Sequence, residues 1–199
     1  MEIELSDKPP RGHPPILLDL DYSTEADSKL SPAAAIESGR LLLRGGGADT
    51  VAGQPFSADS YRDVVLDASL AVEAGDDNDL AGLFLRQSAE RTYVVVALSP
   101  AGYVYVATLD GGPKPVAEGP LSADIPFQRG LGAWNRLTIV AFGPSLVVVL
   151  NGSVLVHLAV DQRFAAGHAG AFLQQGSTSA RARAAVRWVQ VRAVLPEQG

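Results

Sequence analysis

Cysteine is absent from all 199 residues, which removes disulfides, thiolate nucleophiles and cysteine-ligated zinc together. Positive charge is scarce too: 16 Lys and Arg against 22 Asp and Glu leave a net charge of −6. That balance speaks against a nucleic-acid partner, whose phosphates need concentrated cationic side chains. No stretch reaches the roughly 18 apolar residues of a membrane-spanning helix, so direct membrane insertion is not expected. The opening MEIELSDKPPRGHPP carries acidic residues where a secretory signal carries basic ones. Sustained 3.6-residue periodicity is missing, and only residues 31–36 and 161–166 read as short helical turns. Tandem repeats, a G-x-S-x-G elbow and a phosphate-binding glycine loop are likewise absent; the triplet Gly45-Gly46-Gly47 has no following Lys-Ser/Thr pair.

What is present is alternation. Residues 16–20, 40–44, 64–73, 81–87, 92–98, 103–109, 136–142, 146–150, 154–160, 169–174 and 184–194 read as strands, broken by turn formers such as Gly143-Pro144 and Asn151-Gly152. Asn-Gly between two β-branched runs is the strongest short-range hairpin signal. Spacings of about 8 to 12 residues between strands predict an all-β, antiparallel sandwich or barrel with at most one or two helical turns. The near-continuous apolar runs VVVALS and VVVLNG suit the centre of two stacked sheets. Residues 1–15 read as a linker-like leader, 16–195 as one domain, and 48–60 as an irregular surface loop. Trp134 and Trp188 are expected in the core. The alternating arginines Arg181, Arg183, Arg187 and Arg192 read as the solvated face of a strand.

Five segments in order carry a resemblance: YRDVVLDASLAVEAGDDNDLAGLFLRQ, RTYVVVALSPAGYVYVATL, GAWNRLTIVAFGPSLVVVLNGSVLV, GHAGAFLQ and AAVRWVQVRAV. Together they resemble the concanavalin A-like lectin/glucanase jelly roll. More narrowly, they resemble its bacterial branch of 3-keto-disaccharide hydrolases, related to family 16 glycoside hydrolases, and the extracytoplasmic modules of some receptor kinases. The resemblance implies a two-sheet jelly roll whose concave sheet often holds sugar, and a place outside the cytoplasm within a longer bacterial protein. Two departures matter. The catalytic strand E-x-D-x-x-E of family 16 is missing, which removes the paired acids that must flank a glycosidic bond. The final strand reads Trp188-Val189-Gln190 where related modules often read aromatic-Asp-Asn, which weakens the implied calcium ion.

Other chemistry yields to bland readings. Asp76, Asp77 and Asp79 fall in a turn without the 12-residue loop and terminal bidentate Glu of a calcium hand, so a solvated hairpin is expected and no metal. His13, His157 and His168 are scattered and read as structural. The candidate ligand-binding set is Arg86, Tyr93, Tyr103 and Tyr105: alternation puts Phe84 with Arg86, and Tyr103 with Tyr105, on single strand faces. Tyrosine rings stack on pyranose C–H groups while a guanidinium donates to hydroxyls. The expected function is therefore a non-catalytic carbohydrate-binding or sensory module needing no cofactor. The alternatives are a glycoside-cleaving enzyme of the 3-keto-disaccharide hydrolase type and a structural or protein-interaction domain. Oligomeric state is not readable from these residues.

Overall fold

A computed structural model describes residues 15–23, 30–89, 92–179 and 181–194; the leader through residue 14, with His13, lies outside them. Fourteen strands and one 3-10 turn follow in order: β1 Ile16–Asp21, β2 Ala34–Ile36, β3 Leu41–Arg44, β4 Val51–Pro55, β5 Val64–Ala74, β6 Leu80–Ala89, β7 Thr92–Leu98, β8 Tyr103–Asp110, β9 Pro113–Pro120, β10 Asn135–Phe142, β11 Ser145–Leu150, β12 Ser153–Ala159, the turn Gln162–Phe164, β13 His168–Gln174 and β14 Arg183–Ala193. The first sheet has the order β12-β11-β10-β5-β14-β3-β2, with β1 also paired to β14; the second has the order β4-β13-β6-β7-β8-β9. Every pairing is antiparallel.

The core lies between the sheets and follows from period-2 alternation. Leu66, Ala68, Leu70 and Val72 of β5 face Leu83 and Leu85 of β6 and Val94 and Val96 of β7 in one buried cluster. Each fully buried leucine contributes about 1.5–3 kcal/mol relative to exposure. Asn151 and Gly152, with φ of 48° and 89°, make the turn expected between β11 and β12.

Two expectations are corrected, and one strand falls where the sequence reading placed none. Residues 31–36 hold no helical turn: Ala34–Ile36 pairs with Leu41–Leu43 as β2, because Ser38 and Gly39 adopt φ of 51° and 70° and close a hairpin, Glu37 and Arg40 exchanging backbone hydrogen bonds. Residues 48–60 are not all loop, since Val51–Pro55 pairs with β13 and extends the second sheet. β9 carries Pro113, Pro115 and Pro120, which argue against a strand except at an edge, where β9 sits. The turn expected near residue 161 is present: Asp161 caps Gln162–Phe164 by accepting from the Arg163 N–H at 2.9 Å.

Candidate functional site

The outer face of the second sheet is set by the same alternation. With Val94, Val96 and Val106 turned to the core, Tyr93, Val95 and Ala97 of β7 and Tyr103, Tyr105, Ala107 and Leu109 of β8 face outward. Register builds two rows across all six strands. One runs Gly53, Phe172, Gly82, Ala97, Tyr105, Glu118; the next runs Pro55, Gly170, Phe84, Val95, Ala107, Pro115. Aromatic residues stand beside glycines, and Phe84 fills the space a Cβ on Gly170 would need. Phe84 and Tyr93 rings pack 5.7 Å apart at 57°, and with Leu80, Val95, Ala97, Ala107 and Phe172 they form a buried apolar floor.

The open part of the face lies toward β8 and β9. Tyr103 is 37% exposed, Tyr105 is half-buried against the floor, and Glu118 stands opposite Tyr105. Lost hydration and then the Glu118 carboxylate, which accepts the Tyr103 hydroxyl, push the Tyr103 phenol above its ordinary value. Tyr105 is raised in the same direction, by lost hydration first, then by Glu118 and Tyr103. Both hydroxyls therefore keep their protons into alkaline solution and remain donors beside an acceptor.

Of the residues expected to bind, Tyr103 and Tyr105 share this open surface, whereas Tyr93 sits in the floor two register steps along, opposite Leu109. Arg86 does not join them. A bulge between Leu85 and Ala89 puts it at φ 58° and turns its side chain inward. There Nη2 donates to the Arg62 carbonyl at 3.1 Å and lies 3.9 Å from Asp63 Oδ1, while Nε and Nη1 are buried without a partner. Burial lowers the pKa of this guanidinium against the opposing pull of Asp63. Because a buried ion with orphaned donors stabilises little, Arg86→Met is expected to keep or raise the melting temperature; a drop of more than about 5 °C, roughly 2 kcal/mol in a domain this size, would contradict that. Glu118 was missed because β9 was not recognised as a strand.

The first sheet presents a different outer face. Trp134 and Trp188, expected in the core, lie half-buried under arginines: the Arg187 guanidinium is 3.8 Å from the Trp134 ring centre and that of Arg136 is 5.8 Å from Trp188. Trp188 takes an outward position on β14, since Val189 takes the inward one, and Trp134 lies just before β10. Arg136 also holds Asp67 through Nε at 3.0 Å and Nη2 at 2.6 Å, with Thr138 Oγ1 donating at 2.9 Å.

The acidic turn after β5 is a latch. Asp79, fully buried, accepts the N–H groups of Asp76 and Gly176 at 2.7 and 2.8 Å. Thr178 Oγ1 and then the Asn78 N–H hold the Asp76 carboxyl below its ordinary value. A depressed folded value means that this contribution is present above the unfolded value and fades as pH falls through the folded one, so the turn is expected to loosen only in acid below about pH 4. Lower exchange protection of the Asn78 amide, measured against the intrinsic exchange rate at the same pH, would report it. Among the described residues, no group of three His, Asp or Glu is placed to hold a metal ion.

No family model matches the chain, and no curated protein matches it in sequence. Solved structures do match its shape. The carbohydrate-binding module CBM66 from Bacillus subtilis superimposes with a TM-score of 0.63 at 14% identity, covering 88% of this chain and 95% of its own. A Bacillus subtilis protein of unknown function with a galectin-like fold gives 0.68 at 11% identity, covering 91% and 97%. The laminarinase catalytic domain of Thermotoga maritima gives 0.67 at 9% identity, covering 92% and 100%. The chain thus has the concanavalin A-like jelly-roll fold, two antiparallel sheets stacked face to face.

Proposed function

We propose that this chain is a non-catalytic carbohydrate-binding module, part of a larger bacterial protein that works outside the cytoplasm, with the outer face of the second sheet as its platform. The observation that carries this reading is the open half of that face, where exposed Tyr103 and half-buried Tyr105 stand side by side with Glu118. A sugar offers C–H faces that stack on rings, and hydroxyls that accept from a phenol and donate to a carboxylate. The aromatic floor beneath, centred on Phe84 and Tyr93, packs against Tyr105 and so reduces the entropy that this ring loses on binding. A module named for carbohydrate binding among the structural neighbours supports the assignment.

Hydrolysis fits less well. Cleavage uses two carboxyl groups roughly 5–10 Å apart, and in the two rows of this face Glu118 alone carries one. A glycan array followed by calorimetry on hits tests the proposal. Tyr103→Ala and Tyr105→Ala are each expected to weaken binding about tenfold, close to 1.4 kcal/mol, while Arg86→Met leaves it unchanged. Absence of any glycan ligand, or affinity indifferent to both tyrosines, would discard the assignment; release of new reducing ends would favour the enzyme.

A further inference from the structure

The open half of the tyrosine platform offers mainly acceptors. Glu118 is exposed, and among the described residues its carboxylate enters no ion pair. A carboxylate can only accept. Because the Tyr103 hydroxyl donates its proton to Glu118, the Tyr103 oxygen also faces a ligand with lone pairs alone. Of these three side chains, Tyr105 keeps a free O–H.

Cations on the neighbouring segments are turned away or engaged. Lys114 stands opposite Thr108, between the outward positions of Ala107 and Leu109, so alternation sends it to the other face. Arg129 donates to the Ala101 carbonyl and covers the Phe127 ring, 5.9 Å from its centre. Arg163 pairs with Asp110 and Asp161. The two rows that cross this face carry no charge besides Glu118.

We infer, on the carbohydrate reading above, that the platform selects an amino sugar with a free, protonated amine, a glucosamine-type unit of a glycan that lacks N-acetyl groups. An ammonium brings three donors and no acceptor, the complement of Glu118 and the Tyr103 oxygen. Hydrogen bonds to a charged partner are about twice as strong as neutral ones, and the faces of the Tyr103 and Tyr105 rings attract cations as well. Competing sugars fit less well. A glucose unit would cover the carboxylate with neutral donors only and leave its charge unmatched. An N-acetyl group would set a carbonyl acceptor against two acceptors, and a uronate would set carboxylate against carboxylate. The net charge of −6 also draws a chain of ammonium groups toward the protein.

Calorimetry on the full chain at about pH 6, where amines keep their protons, tests this with the β-1,4-linked tetramers of glucosamine, N-acetylglucosamine and glucose. The glucosamine tetramer is expected to bind about tenfold more tightly than the other two. Glu118→Gln, at an exposed position of an edge strand, is expected to bring it level with the glucose tetramer. Asp19→Asn removes the same charge from an exposed site on the first sheet and is expected to change nothing. Tetramers that bind equally, each weakened by Tyr105→Ala, overturn the selectivity while the platform stands. No binding of the glucosamine tetramer overturns it whatever other glycan the array finds. Equal losses in Glu118→Gln and Asp19→Asn would reveal a general attraction between a polycation and an acidic protein, and overturn it too.

Discussion

Replacing Gly82 by valine is expected to lower the melting temperature by more than about 10 °C, or to prevent soluble folding altogether. Gly82 sits in β6 against Ala97 of β7, and a Cβ built there would lie 2.0 Å from the Val96 carbonyl oxygen, 2.5 Å from Ala97 Cα and 2.8 Å from Ala97 Cβ. Side chains that can rotate away limit overpacking to about 1–3 kcal/mol. Here two of the three colliding atoms are backbone, so relief requires prising apart two central strands and their ladder. The comparison is Gly112→Ala: that position has no atom within 4 Å of its built Cβ and no left-handed φ, so its replacement is expected to stay within about 0.5 kcal/mol of wild type. Thermal unfolding of both variants by circular dichroism checks the contrast. Equal melting temperatures would mean that β6 and β7 do not meet in this register.

Asp67→Ala is expected to cost about 3 kcal/mol. Its side chain is 3% exposed and serves Arg136 and Thr138, with Arg192 Nη2 at 3.9 Å. Deleting it leaves cations facing one another without a counter-charge and a buried hydroxyl without its acceptor. Removing one partner of a fully buried pair costs roughly 3–5 kcal/mol, and the 47% exposure of the Arg136 side chain, which water can screen, places the effect at the lower end. In urea the midpoint should fall while the slope stays constant. Introduced into an Arg136→Met background, the same change should cost less, because the orphaned cation is already gone. Strict additivity would show that Asp67 and Arg136 act independently.

The parts of the fold that could be read from residues are those where alternation runs unbroken between turn formers: β5 through β8 and β10 through β14 all fall close to their expected bounds. Three strands escaped: β4 lies in a stretch whose Gly and Pro read as loop, and β9 and β2 escaped for opposite reasons. In β9 the prolines that conceal a strand also protect an edge. In β2 the hairpin depends on Ser38 at positive φ, a conformation serine seldom adopts and composition does not reveal. The site divides in the same way. Tyr103 and Tyr105 lie on a strand without interruption up to Val106, so their common face was legible. Arg86 was assigned to the face of Phe84 by counting in twos, and a bulge invisible in the sequence reversed it. Glu118 could not be paired with Tyr105 until β9 was known to exist.

The antiparallel pairing of β1 with β14 has a mechanical consequence. Ile16 lies against Arg192, and the Ala193 N–H reaches the Pro15 carbonyl at 3.0 Å, so the outer ends of these two strands meet at one corner of the first sheet. Tension applied through both ends loads that ladder one rung at a time, as a zipper opens, instead of shearing every rung at once. β1 therefore peels away under low force while the remaining strands, and the tyrosines on the far sheet, stay assembled.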